Sequence, residues 1–190
     1  MRALKLLLIA AAVSLFGVQG ASAQLYLGGH LGLNITHDTD LAGFNFTFDP
    51  GLAIGGVVGY RVTPNVRIDG EVTYRVNDLD EIGGSPAGDE IRSLAFLVNV
   101  YYDFTTGSPW VPYVGGGLGV ANHELDPASG PTEEEDLFAF QLGAGVAYEL
   151  NPAMALTLDY RFFGTEEPEF AGFEYDYLNS TIQIGLRYSF

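Results

Sequence analysis

The chain has 190 residues, 47% of them hydrophobic, with 25 Gly, 13 Phe, 11 Tyr and no Cys, and a formal charge of −16. This length suggests one domain, and the missing cysteines exclude a disulfide framework, a thiolate metal site and a cysteine nucleophile. So acidic a chain repels phosphate, which excludes nucleic acid as a partner, and three His argue against a His-rich metal site.

Residues 1–23 read as a cleaved secretory signal peptide. Arg2 and Lys5 make a charged start, residues 6–18 are almost wholly apolar, and Ala21-Ser22-Ala23 is an A-x-A cleavage site before Gln24. The apolar run is short of the ~20 residues that a spanning helix needs. Losing Arg2 and Lys5 takes the formal charge from −16 to −18 and leaves residues 24–190 as the mature unit.

That unit alternates with period two in eight segments, near residues 25–33, 51–62, 66–76, 93–104, 112–121, 138–150, 154–163 and 177–190. Such alternation is the strand signature. In the first segment Leu25, Leu27, Leu31 and Leu33 share a face opposite Tyr26, Gly28, His30 and Gly32. In the last, Leu178, Ile182, Ile184, Leu186, Tyr188 and Phe190 oppose Asn179, Thr181, Gln183, Gly185 and Arg187. The connections alternate as well. Those near 63–65, 105–109 and 151–153 are short and rich in Pro, Asn and Gly, whereas 34–50, 77–91, 122–137 and 164–176 are long.

An even strand count, ~10-residue strands, short turns on one rim and long loops on the other make the pattern of a transmembrane barrel. The expected fold is therefore all-β: an eight-stranded antiparallel up-and-down transmembrane β-barrel with short periplasmic turns and four long extracellular loops. In hydrocarbon every backbone group must pair, so strands can span only as a closed sheet. A soluble barrel would turn the bulky face inward, but an eight-stranded interior is only wide enough for a modest filling of side chains. The opposite face, rich in Gly and Ala, suits a tight lumen. Tyr60, Tyr102, Phe104, Tyr148, Tyr188 and Phe190 lie toward the short-turn rim, and Tyr74, Phe138, Phe140, Tyr160 and Phe162 toward the long-loop rim. Two girdles are expected where a barrel meets two membrane interfaces.

The charges sort by location. The inward faces carry Arg61, Arg67, Arg75, Arg161 and Arg187 together with Asp69, Glu71, Asp103, Glu149 and Asp159, five of each sign. Buried charges persist when paired and hydrogen-bonded, so these ten should form an ion-pair network that plugs the lumen. The first, second, fifth and sixth strands offer mostly Gly and Ala inward, and the others supply the long polar groups that cross the space. The remaining 19 of the 24 acids lie in or beside the long connections, among them Asp38, Asp40, Asp78, Asp80, Glu81, Glu133-Glu134-Glu135-Asp136, Glu166, Glu167 and Glu169. Such loops suit a solvated, mutually repelling surface. The sharper alternatives are a divalent-cation site, for which no spaced D-x-D-x-D-G pattern is present, or a receptor for a basic partner.

Hydrolytic chemistry needs a nucleophile, a base and an orienting acid at one rim. His123 with Glu124 is the best base candidate, but no Ser lies two residues on, so the resemblance to the H-x-S lipid A deacylases of outer membranes fails. His37 beside Asp38 has no evident Ser, and His30 reads as a structural hydrogen-bonder in the lumen. Gly115-Gly116-Gly117-Leu118-Gly119 lies mid-strand, with neither the helix nor the Lys of a phosphate loop. Neither an enzyme activity nor a cofactor is expected.

Pro112-Tyr113-Val114-Gly115-Gly116-Gly117-Leu118-Gly119-Val120 resembles the mid-barrel motif of the outer-membrane beta-barrel domain family, a group similar to opacity proteins and to the transmembrane domain of outer-membrane protein A. The terminal Ile182, Ile184, Leu186, Tyr188, Phe190 alternation looks like the signal read by the barrel assembly machinery. The resemblance implies residence in a Gram-negative outer membrane among its lipids, lipopolysaccharide included, and a role as adhesin or structural anchor with an unknown extracellular ligand. The periplasmic peptidoglycan-binding domain of larger relatives is not expected here. A structural or surface-interaction barrel is thus the leading reading, followed by a porin-like channel for small solutes and then a lipid-modifying enzyme.

Overall fold

The computed structural model describes residues 24–36, 39–41, 44–48, 50–82, 85–126, 133–165, 169–170, 173–174 and 178–190. The leader at 1–23, and His37, Asp38, Glu166 and Glu167 of the long connections, lie outside the described residues. The strands are β1 (Gln24–Thr36), β2 (Thr39–Leu41), β3 (Phe44–Phe48), β4 (Gly51–Arg61), β5 (Val66–Ile82), β6 (Ser85–Asp103), β7 (Trp110–Asp126), β8 (Glu133–Asn151), β9 (Met154–Thr165), β10 (Glu169–Phe170), β11 (Phe173–Glu174) and β12 (Leu178–Ser189).

Eight of them form a ring in the order β1, β4, β5, β6, β7, β8, β9, β12. The last pairs with the first, antiparallel, with Leu31 opposite Ile184. The sheet is therefore closed and the wall has no edge to leave unpaired in hydrocarbon. Each alternating segment builds one wall strand, as the pattern requires.

The long connections are more ordered at their stems than the alternation suggests. β5 and β6 continue as a hairpin to Ile82 and Ser85, β7 and β8 to Leu125 and Glu133, and β3 adds to the extension of β5. Backbone pairing needs no apolar side chains, so a hairpin can outlast the lipid-facing pattern that reveals it. At the opposite rim, Thr63 Oγ1 accepts from the Val66 amide at 3.0 Å. Asn151 Oδ1 accepts from the Ala153 and Met154 amides at 2.9 and 3.0 Å. Gly107 takes φ +71°, which a side chain would resist.

Burial separates the faces as the parity requires. Leu118 and Ile184 are 58% and 64% exposed on the outside, whereas Arg67 and Asp69 are 2% and 3% exposed within. Bulky aliphatic side chains facing out and charges facing in make sense when lipid surrounds the sheet. At the short-turn rim Trp110 packs on Tyr148 (ring centroids 4.7 Å), Tyr102 on Phe104 and Tyr188 on Phe190. Phe140 and Phe162 pair on the long-loop side. Ile182, Ile184, Leu186, Tyr188 and Phe190 all stand exposed on the outward face of the closing strand.

Candidate functional site

The lumen holds the chemistry, in layers. Nearest the short turns, the Tyr26 hydroxyl of β1 donates to Asp69 Oδ1 of β5 over the intervening strand β4. Arg67 then spans two carboxylates: Nη1 donates to Asp69 Oδ2 at 2.6 Å and Nε to Asp103 Oδ1 at 3.0 Å. Nη1 also reaches Tyr26 Oη at 3.0 Å, and Arg61 Nη2 stands 3.6 Å from Asp103 Oδ2. On the other side, the Tyr113 hydroxyl donates to Asp159 Oδ1, which also accepts from Arg161 Nη2 at 3.0 Å. The Arg67 guanidinium lies over the rings of Tyr101 and Tyr113, at 4.1 and 4.6 Å from their centroids. Charge, hydrogen bonds and ring faces together compensate the burial of these ions.

The middle layer is held by amides. Buried Glu71 accepts from Thr73 Oγ1 at 2.9 Å, Asn99 Nδ2 at 3.1 Å and Gln141 Nε2 at 3.3 Å. Because Thr73 donates its only hydroxyl proton to Glu71, His30 Nε2, 3.1 Å away, must be the donor to Thr73. Arg75 donates to Gln141 Oε1 at 3.4 Å and lies over the Phe163 ring at 4.1 Å.

Toward the long loops, Asn34 Nδ2 donates to Asn77 and Asn179 Oδ1 at 2.6 and 2.8 Å, and Thr181 donates to Asn34 Oδ1 at 2.8 Å. The facing part of that layer is apolar: Ala95, Leu97, Ala121, Ala139 and Phe163.

Of the ten charges expected to meet, Arg61, Arg67, Asp69 and Asp103 share one chain of ion pairs, and Asp159 with Arg161 makes a second. Glu71 and Arg75 are bound through neutral amides. Arg187 lies over Tyr113 and Tyr26, at 5.4 and 5.7 Å. Glu149 is exposed at the short-turn rim, beside a register shift between Glu149 and Asn151, where it lines the mouth of the lumen with Arg61 and Arg187 and not its buried interior. Its nearest register neighbour on β9 is Ala155, and Arg187 lies one strand further, about 10 Å away at normal strand spacing.

Sequence reasoning missed the tyrosines and amides. Tyr26, Tyr101, Tyr113, Asn99 and Gln141 all sit at inward parity, but they carry no charge to mark them as members of an ion network. It also missed a repeat in the register. Tyr26, Gly59, Asp69 and Asn99 face one another along β1, β4, β5 and β6. Tyr113, Gly145, Asp159 and Gln183 do so along β7, β8, β9 and β12. Each Tyr reaches its Asp over the bare backbone of a glycine, and a Cβ on Gly59 would run into the Tyr26 ring. The signal was present, because Tyr26-Leu27-Gly28-Gly29-His30-Leu31-Gly32-Leu33 and Tyr113-Val114-Gly115-Gly116-Gly117-Leu118-Gly119-Val120 match in pattern.

A serine does stand beside His123, across the sheet and not along the chain: Ser93 pairs with His123, and His123 with Glu135, in register. Ser93 and His123 are 0% and 1% exposed inside the lumen, so no lipid ester reaches them. Among the described residues, no three His, Asp or Glu converge to hold a metal ion.

A closed eight-stranded sheet with an apolar exterior, two aromatic rims and a charged lumen defines a transmembrane β-barrel. The chain belongs to the outer membrane protein beta-barrel domain family, whose model matches residues 8–190, and it is a protein of the bacterial outer membrane. It is 25% identical over 135 residues to the outer membrane protein PagN of Salmonella typhimurium, covering 60% of this chain and 56% of PagN. The match thus spans little more than half of that relative. The fold is similar to that of Neisserial surface protein A, with TM-score 0.66 and 19% identity over 89% of this chain and 99% of the other. It is also similar to Ail, the attachment invasion locus protein of Yersinia pestis, with TM-score 0.50 and 13% identity over 88% and 97%.

Proposed function

We propose that the protein is a structural and surface-interaction barrel, adhesin-like in type, whose lumen is plugged and whose acidic loops meet the exterior. The observation that carries this reading is the cross-bracing of the lumen. Arg67 ties β5 to the end of β6, Tyr26 ties β1 to β5, and Tyr113 ties β7 to β9. A solute path would have to break several charge-assisted hydrogen bonds, each ~1.5–3 kcal/mol. The role involves no catalysis.

The remaining parts follow from that assignment. Residues 1–23 direct export and are removed after Ala23. The outward Ile182–Phe190 alternation on β12 is presented to the barrel assembly machinery, and the apolar band then sits among outer-membrane lipids, lipopolysaccharide at the outer leaflet. The loops favour a basic partner. Ail forms a complex with sucrose octasulfate, a heparin analogue, whereas loops holding most of 24 acids repel such polyanions.

Two measurements test the reading. In planar bilayers the folded barrel should give no steady unit conductance; reproducible large steps would establish a small-solute channel instead. Cells displaying the intact barrel should lose adhesion to host surfaces when the long loops are shortened, and unchanged adhesion would remove the surface-interaction role.

A further inference from the structure

We infer that the mature chain begins with pyroglutamate, formed when Gln24 closes on its own α-amino group, and that this lactam caps the strand that closes the ring. The inference rests on the removal of residues 1–23 proposed above, which leaves Gln24 as the first residue. The residue type is the one this chemistry requires. The lone pair of the terminal α-amine attacks the side-chain carbon Cδ of Gln through a five-membered ring. A bond forms between the amine nitrogen and Cδ, and the bond from Cδ to the amide nitrogen breaks. The released nitrogen takes a proton from the amine and leaves as ammonia. Nothing is oxidised or reduced, and no co-reactant enters. An α-amine has a pKa near ~7.7–8.0, so roughly a tenth of it is the nucleophilic free base at pH 7. Holding amine and amide in one residue favours their reaction over any intermolecular one.

The position is open to water. Leu25 lies opposite Tyr60 of the short-turn girdle, and Gln24 lies one residue beyond it, opposite Arg61. The Arg61 side chain is 30% exposed there, so solvent reaches the row and can carry the ammonia away. This end also matters to the fold, because β1 is the seam of the ring. It pairs with β4 from Gln24 onward and with β12 from Tyr26 onward, and the Phe190 amide donates to the Leu25 carbonyl at 3.0 Å. Chain ends are where proteolysis concentrates, and an aminopeptidase working inward would strip those pairs row by row. A lactam offers no free α-amine for such an enzyme to hold. It also leaves no terminal charge opposite Arg61.

The test reads the N-terminus of the barrel exported from the full chain and extracted, folded, from outer membranes. Its intact mass is expected to equal that of residues 24–190 less one ammonia. Edman degradation should fail until the chain is unfolded and treated with pyroglutamyl aminopeptidase. A synthetic peptide of residues 24–30, carried through the same work-up, measures the cyclisation that handling causes. Gln24→Ser, with folding checked by the mobility of the unheated barrel on gels, should open the N-terminus and lose residues to an aminopeptidase that the parent resists. A mass for residues 24–190 with the ammonia retained, or conversion no greater than in the peptide, would overturn the modification and leave the leader assignment standing. A folded Gln24→Ser barrel as resistant as the parent would overturn the capping role. An unprocessed mass, or one that begins at another residue, would remove the leader assignment and the modification together.

Discussion

The two halves of the barrel start from the same design and end differently. β1–β6 and β7–β12 each place a Tyr, a Gly, an Asp and an amide in one lateral row: Tyr26, Gly59, Asp69, Asn99 and Tyr113, Gly145, Asp159, Gln183. One row nearer the short turns, the first half is packed with Arg61, Arg67 and Tyr101, and Asp103 below them takes both arginines. The second half has Ala147, Thr157 and Gly185, and its Arg187 has tyrosine faces where Arg67 has carboxylates. The same hydrogen bond therefore stands over an ion lattice on one side and over small uncharged residues on the other. A lumen motif is only as rigid as the row beneath it.

Stability measured by denaturant unfolding in lipid vesicles, with Trp110 as the reporter at the periplasmic rim, should expose this difference. Asp69→Ala should cost about 3–5 kcal/mol, because Arg67 Nη1 and the Tyr26 hydroxyl both lose their carboxylate inside the lumen, leaving Arg67 with Asp103. Asp159→Ala removes the matching acid from a row whose next neighbours are the small residues Ala147, Thr157 and Gly185, and should cost about 1–3 kcal/mol. Equal losses would erase the distinction between the halves. Gly59→Ala comes next, at about 1–3 kcal/mol, since the new methyl meets the Tyr26 ring.

Ala155→Glu should change stability by less than about 1 kcal/mol. Ala155 lies directly opposite both Arg187 and Glu149, so the new carboxylate gains one opposite charge and meets one like charge. The smallest effect belongs to Glu149→Gln, within about 0.5 kcal/mol, since an exposed side chain outside the network carries little. A large loss there would place Glu149 in the lattice after all.

Much of this architecture is readable from the chain because each strand reports its own two environments. Lipid on one side and a narrow lumen on the other impose period two, and Leu31, Val98, Leu142 and Ile184 fall on the outside accordingly. Parity separates a lumen-facing Tyr from a girdle Tyr, but it does not say which carboxylate the hydroxyl meets. Glu149 keeps its inward parity and lines the lumen mouth, but parity names only a face, and at the last residues of a strand that face is open to solvent.

What the sequence by itself determined was the strand count, the inward and outward residues, the aromatic rims and the location of the acidic excess. Those are properties of single strands against their surroundings. Only the tertiary structure decided which inward residues meet. Closing the ring staggers the strands by an amount set by all eight pairings together, and one residue of slip turns a side chain to the other face. That register laid Tyr26 over Gly59 onto Asp69, and left Arg187 lining the lumen mouth.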